Sequence, residues 1–209
     1  MQADTNNHAG APRIVYVVDD DPAMRHSLAW LIGTLGVPVE SFASGEEFLR
    51  AVRPDQPGCL VTDVRMPGMS GLELQDTLAR AGSLLAVVVI TGHADVPMAA
   101  RAFRAGAVDL IEKPFNDQML LDRVYEGLEK SSRAWGERMR KEQVRSLLAR
   151  LTPRERQVAD LVVAGKPNKV IAAEINLSLK TVEVHRHNMM EKLEAGSIAE
   201  LTRLLLEAK

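Results

Sequence analysis

Five short apolar runs, spaced so that a helical segment fits between each pair, constrain this chain more than any other feature. They fall at 14–18, 37–42, 59–62, 84–91 and 108–112, and are rich in valine, isoleucine and leucine. Runs that are apolar throughout fit strands covered on both faces, as in a parallel sheet. Asp21 can cap a helix with Pro22 at its first position, and that helix is expected to stop near Gly36. Ser44 and Glu47 form a capping box for a second helix. Further helical segments lie near 71–80, 96–105 and 116–134. The alternation predicts a doubly wound α/β domain of about 120 residues with a five-stranded parallel sheet.

The last 60 residues follow another rule. They carry no strand pattern, and their punctuation predicts four helices. Thr152 and Glu155 make a capping box with Pro153 between them, and that helix ends at Gly165. Asn168 opens a second helix to about 175, Ser178 a third to about 193, and Ser197 with Glu200 a last one. The intervening stretch 129–150 is highly charged, with Gly136 its one glycine and no proline. It is read as a helix continuing from the first domain and frayed near Gly136; a solvated flexible linker is the alternative. Residues 1–12 are small and polar and read as a disordered tail. The division is therefore 1–12 tail, 13–128 first domain, 129–149 helical linker, 150–209 small all-α domain.

Charge separates the two halves. Residues 1–128 hold 10 basic and 17 acidic side chains, whereas 129–209 hold 16 basic and 11 acidic. Acidic clusters hold cations and basic surfaces hold phosphates, so the halves are expected to have different partners. No apolar run nears the roughly 18 residues of a membrane span. The opening residues lack the pattern of a secretory signal, and Cys59 is alone, so a reducing, cytoplasmic location is expected.

In parallel sheets ligands bind beyond the carboxyl ends of the strands. There the sequence places Asp19, Asp20 and Asp21 after the first strand, Asp63 after the third, Thr91 at the end of the fourth and Lys113 at the end of the fifth. If the first strand lies centrally, these groups converge on one crevice. Carboxylates so gathered repel one another, and a hard cation such as Mg²⁺ relieves the repulsion. A carboxylate beside Mg²⁺ can act as a nucleophile toward a phosphoryl group, with an ammonium and a hydroxyl neutralising its oxygens. Asp63, Lys113 and Thr91 suit those three roles; Asp21 suits a plain helix cap.

These residues resemble a known pattern. Val18-Asp-Asp-Asp21, Val61-Thr-Asp-Val-Arg-Met-Pro-Gly68, Val89-Ile-Thr-Gly-His93 and Glu112-Lys-Pro114 match, in order and spacing, the receiver domain of two-component response regulators, a flavodoxin-like fold. The resemblance implies that Asp63 is the phospho-acceptor. It implies that Asp20, Asp63 and the backbone carbonyl of Arg65 ligate Mg²⁺, with Asp19 helping largely through water. Thr91 and Lys113 would contact the phosphoryl oxygens, and Lys113–Pro114 would be a cis peptide. One position departs from the pattern: Leu110 stands where many receivers carry an aromatic switch residue. Either a leucine repacks there or the signal leaves by another route, such as the segment 96–105.

Residues 151–209 resemble the LuxR-type helix-turn-helix effector of the FixJ/NarL response regulators, and the variant motifs are similar to the FixJ/StyR subgroup. Leu151-Thr-Pro-Arg-Glu-Arg156, Gly165-Lys-Pro-Asn-Lys169, Ile171-Ala172, Thr181-Val-Glu-Val-His-Arg186 and Lys192-Leu193 carry the match. In the helix from 179, Val182, Met189 and Leu193 mark an inward stripe. Lys180, Thr181, Val184, Arg186, His187 and Asn188 are candidates for an outward face reading the major groove. Lys166, Lys169, Lys180 and Lys192 are candidate phosphate contacts. Glu183 either accepts from a cytosine amine or pairs with Lys180 or Arg186.

The sequence thus predicts a phosphorylation-activated, DNA-binding transcriptional regulator. Its expected partners are a sensor histidine kinase, double-stranded promoter DNA, RNA polymerase and, when phosphorylated, a second copy of itself. It is not expected to be an enzyme beyond accepting a phosphoryl group and losing it slowly. A dehalogenase-type phosphatase would use a similar aspartate and Mg²⁺, but usually with a second aspartate two residues on, where this chain has Arg65. A scaffold with a vestigial site would not need the full Asp, Thr and Lys set.

Overall fold

The computed structural model describes residues 13–207, so the tail expected at 1–12 lies outside the described residues. The chain divides into two compact units, one ending at Gly136 and the other beginning at Glu137. The division falls inside the segment read as a linker.

In the first unit the elements alternate: β1 (Val15–Val18), α1 (Pro22–Gly33), β2 (Val39–Phe42), α2 (Gly45–Ala51), β3 (Gly58–Asp63), α3 (Gly71–Arg80), β4 (Leu85–Thr91), α4 (Val96–Arg104) and β5 (Asp109–Glu112), followed by α5 (Asp117–Ala149). The strands form one parallel sheet in the order β2-β1-β3-β4-β5. The middle strand is therefore β3, with β1 beside it. Between them the winding reverses direction, which opens a crevice beyond their carboxyl ends.

Side chains alternate across the sheet. Tyr16, Val18, Leu60, Val87 and Val89 face a core completed by Phe48 of α2, Leu74 and Leu78 of α3 and Ala102 of α4. Val15, Val17, Cys59, Val61, Val88 and Ile90 face the other core, with Leu28 and Ile32 of α1 and Leu120, Val124 and Leu128 of α5. Each such fully buried aliphatic side chain contributes about 1.5–3 kcal/mol. Only β1, β3 and β4 are buried at every residue; β2 (Val-Glu-Ser-Phe) and β5 (Asp-Leu-Ile-Glu) are edges and partly exposed.

α5 is a single helix of 33 residues passing through Gly136 without a break. Its contribution to the first unit extends past residue 128. The buried Ser131 hydroxyl donates to the Leu84 carbonyl and accepts from the Gly58 N–H. Its last turns supply Val144, Leu147 and Leu148 to the second unit.

The second unit adds α6 (Pro153–Val163), α7 (Asn168–Glu174), α8 (Leu179–Lys192) and α9 (Ile198–Glu207). The Thr152–Glu155 capping box forms with both of its hydrogen bonds. The turn between α7 and α8 passes through Asn176 at φ 54°, a left-handed conformation that asparagine tolerates. Ser178 then caps α8 on the Thr181 N–H. One core unites Val158, Ala159 and Val162 of α6 with Ile171 and Ala172 of α7, Val182 and Met189 of α8, and Leu201 and Leu205 of α9.

Candidate functional site

At the carboxyl edge of the sheet, Lys113 reaches back across β4 and β3. Its Nζ lies 2.6 Å from Asp63 Oδ1 and 3.4 Å from Asp19 Oδ2. Both carboxylates are buried: Asp19 is 2% exposed and Asp63 8%. The second oxygen of Asp63 accepts the Arg65 N–H at 2.6 Å, which fixes the carboxylate plane. Asp19 accepts the Asp21 N–H at 2.8 Å through Oδ1, and its carbonyl accepts from Arg25. Burial pushes the Asp19 carboxyl above the usual carboxylate range. The Asp21 N–H and the Lys113 charge oppose that rise, while the charge of Asp63 adds to it. For Lys113, burial works against its charge, yet its bonds to Asp63 and Asp19 hold the ammonium above the ordinary lysine value.

The remaining expected residues stand around this trio. Asp20 is exposed, and Asp21 caps α1 on the Ala23 N–H. Among the described residues no group of three or more Asp, Glu, His or Cys side chains is close enough to hold a metal ion. Of the three expected carboxylates, Asp19 and Asp63 are joined by Lys113, and Asp20, next to Asp19 in the chain, is exposed. Thr91 is buried at the end of β4, but its hydroxyl is turned to its own loop, donating to the His93 carbonyl at 3.0 Å. Glu112 holds the same loop through the Ala94 N–H. The Lys113–Pro114 peptide is cis. Leu110 is half-buried and packs on the core under α2, α3 and α4.

In the second unit, α8 buries Val182 and Met189 and exposes Lys180, Glu183, Val184 and His187, with Thr181 and Asn188 on the flank. Lys169 is exposed at the start of α7. Three expected DNA contacts are instead engaged within the unit. Lys192 lies 2.6 Å from the Glu155 carboxylate, Arg186 donates to Asn168 Oδ1 at 2.5 Å, and Lys166 lies 2.5 Å from Glu174. The Arg186 guanidinium is thus held on Asn168, at the first residue of α7. The reason is geometric: both it and Lys192 fall on the side of α8 that faces neighbouring helices.

Residues 15–125 match the response regulator receiver domain, and residues 149–205 match the bacterial regulatory proteins of the luxR family. The chain is a two-component response regulator with a LuxR-type DNA-binding domain. Among relatives of this response regulator, the transcriptional regulatory protein FixJ of Azorhizobium caulinodans is 45% identical over 93% of this chain and 92% of its own. Nodulation protein W of Bradyrhizobium diazoefficiens is 42% identical over 95% of this chain and 88% of its own. The solved structure of the response regulator StyR superposes with a TM-score of 0.88 at 44% identity, covering 94% of this chain and all of that one. Full-length FixJ from B. japonicum gives a TM-score of 0.56 at 40% identity, over 95% of this chain and 98% of its own. Members of this family are transcriptional regulators that couple a kinase to DNA, and their receivers typically bind Mg²⁺. No helix among the described residues is long and apolar enough to cross a membrane.

Two residues of the response regulator's working surfaces escaped the sequence reading. Gly71, the first residue of α3, lies so near the end of β3 that a Cβ there would stand 2.1 Å from the Asp63 carbonyl oxygen. The Met-Pro-Gly-Met-Ser-Gly run after Asp63 carried that signal. Glu155 was read as a cap alone, yet it also anchors Lys192; no local pattern reveals a partner 37 residues away.

Proposed function

We propose that Asp63 accepts a phosphoryl group from the phosphohistidine of a sensor kinase, and that its charge controls how the LuxR-type domain engages promoter DNA. One observation carries this: a single ammonium, Lys113, bonded to two buried carboxylates at the winding reversal of the sheet. A carboxylate oxygen of Asp63 attacks phosphorus as the phosphorus–nitrogen bond breaks. The electron pair stays on the imidazole nitrogen, and an acyl phosphate forms. Lys113 neutralises a phosphoryl oxygen, and the Thr91 hydroxyl donates to another after leaving the His93 carbonyl.

The residues present fit a hard divalent cation. All the donors are oxygens, and the Asp19–Asp63 pair with one ammonium keeps a negative charge in excess. Asp20, Asp63 and the Arg65 carbonyl would hold Mg²⁺, with Asp19 acting through water. Bound there, the ion supplies neutralisation of the phosphoryl oxygens. Loss of the phosphoryl group to water is slow because the residue two after Asp63 is Arg65, which offers no general acid or base.

The modification adds a charge of about −1.5 to −2. It shifts a pre-existing equilibrium toward a state that dimerises, places two helix-turn-helix units on adjacent half-sites and works with RNA polymerase. Lys169, Lys180, Thr181, Val184, His187 and Asn188 form the proposed DNA face. The functional boundaries remain 13–128 for the receiver, 129–149 for the linker and 150–209 for the DNA-binding domain, and the protein works in the cytoplasm. Incubation with acetyl phosphate and Mg²⁺, followed by intact mass measurement, tests the acceptor. One phosphoryl adduct is expected on the wild type and none on Asp63→Asn; an undiminished adduct on the variant refutes the assignment.

A further inference from the structure

Hydrophobic packing holds α7 against α8 but gives that contact little direction. α7 is only 7 residues long, and its N-cap is Pro167, which offers no side-chain cap. Ile171, Ala172 and Ile175 meet Val182 and Met189 in the common core, an arrangement that leaves a two-turn helix free to slide or rotate. A polar tie made at a fixed angle would remove that freedom. The structure contains one: the Arg186 Nη1 donates to Asn168 Oδ1 at 2.5 Å, across 18 residues of sequence, with both residues half-buried.

The helix geometry says which side of α8 this tie occupies. At about 100° per residue, Arg186 lies about 40° round from Val182 and about 60° from Met189, both fully buried. It lies about 100° or more from His187, Lys180 and Val184, which are exposed. Its side chain thus leaves α8 from the flank that faces α7 and ends on the first residue of that helix. A guanidinium presents rigid, planar donors, so its bond to an amide oxygen fixes direction as well as distance.

We propose that Asn168 and Arg186 are a positioning pair for DNA recognition. Arg186 reads no base and holds no phosphate. It locks the α7–α8 crossing and so sets the pose in which Val184 and His187 meet base edges. The inference rests on the DNA-binding role proposed above and assigns this arginine within it. If the pair acts through geometry, its loss should weaken discrimination between sequences more than attraction to any duplex. The phosphate contacts, which carry no sequence information, remain in place.

The test uses the full chain treated with acetyl phosphate. Its duplexes are those that the wild type selects from a random library, compared with unselected duplexes at several salt concentrations. Asn168→Ala and Arg186→Gln should each lower affinity for selected duplexes about tenfold, as loss of one charge-assisted hydrogen bond predicts. Affinity for unselected duplexes and the salt slope should stay unchanged. The double variant should be no worse than either single one. Asn168→Asp, which keeps the acceptor, should restore selectivity, and thermal melting of every variant separates this effect from unfolding. Should Asn168→Ala lose its fold, Arg186→Lys, which keeps the charge but not the planar fork, must still lower selectivity at an unchanged salt slope. The pairing is overturned if Asn168→Ala folds and selects the wild-type sequence with wild-type affinity. It is equally overturned if Arg186→Gln reduces the salt slope by about one, the mark of a phosphate contact, or changes the preferred base at one position while Asn168→Ala does not. Failure of the wild-type chain to bind any selected duplex would instead overturn the DNA-binding role, and this pair with it.

Discussion

Lys192 and Glu155 meet at 2.6 Å, joining the last turn of α8 to the first turn of α6. Glu155 is 3% exposed and also accepts the Thr152 N–H. Burial alone would raise its carboxyl, but the bonds from Lys192 and Thr152 outweigh burial and hold it below the usual glutamate value. A carboxyl lowered in the folded state stabilises above its unfolded value of about 4.3 and loses that contribution as pH falls through the folded value. Lys192→Met should therefore destabilise the DNA-binding domain by about 2 kcal/mol at neutral pH. That is less than for a fully buried pair, because Lys192 keeps part of its surface in water. The gap from wild type, measured by urea unfolding, should close below about pH 4.

Asp19 shows the opposite sign. Its carboxyl is raised chiefly by burial, so its charged form costs the fold stability as pH rises through the raised value. Asp19→Asn should stabilise the receiver by about 1 kcal/mol at neutral pH. The gain should shrink as pH falls through the raised value, where the wild-type carboxyl takes up its proton too. The same variant should label more slowly with acetyl phosphate, a case of function held at the expense of stability.

Gly71 has no room for a methyl group, since a Cβ would stand 2.1 Å from the Asp63 carbonyl oxygen and 2.9 Å from Thr62 Oγ1. Gly71→Ala must push α3 away from the end of β3. A loss of about 1–3 kcal/mol is expected, with slower phosphorylation because Asp63 moves with the strand end. Denaturant unfolding and labelling rates check the two effects separately.

Cys59 is wholly buried on β3, and burial pushes its thiol up to about 12. A thiol without thiolate character is inert. Iodoacetamide at about pH 8 should leave the native chain unmodified and alkylate it once in denaturant; rapid native labelling would contradict this burial.

Lys169 and Lys180 are exposed, and among the described residues no ion pair involves them. Removing either should weaken binding to all duplexes alike and lower the salt slope by about one. Lys166→Ala should change the slope less, because its ammonium is shared with Glu174.

How far the sequence spoke depended on whether structure was local. β1, β3 and β4 were legible because burial on both faces favours apolar runs, Val-Tyr-Val-Val, Cys-Leu-Val and Leu-Ala-Val-Val-Val-Ile. The edge strands carry exposed polar residues, Glu40, Ser41 and Glu112, because each pairs with a neighbour on one side alone. The caps at Asp21, Ser44 and Thr152 lay in the sequence because a cap reaches only two or three residues. Asp63 and Lys113 could be placed at strand ends, and parallel topology brought them together. Helical spacing, charge and the helix-turn-helix motif put Arg186 on an outward face and Lys192 against phosphate. Their actual partners depend on how helices cross, which no short pattern encodes. Thr91 was placed correctly at the end of β4, but the direction of its hydroxyl is a rotamer choice made by the His93 loop.

That rotamer choice has a consequence. A hydroxyl has one proton to give. When Thr91 turns it toward an oxygen mounted on Asp63, the His93 carbonyl loses its donor. The surrounding water must then satisfy that carbonyl, so a charge gained at the end of β3 is felt by the backbone of the loop after β4 through the loss of a single bond.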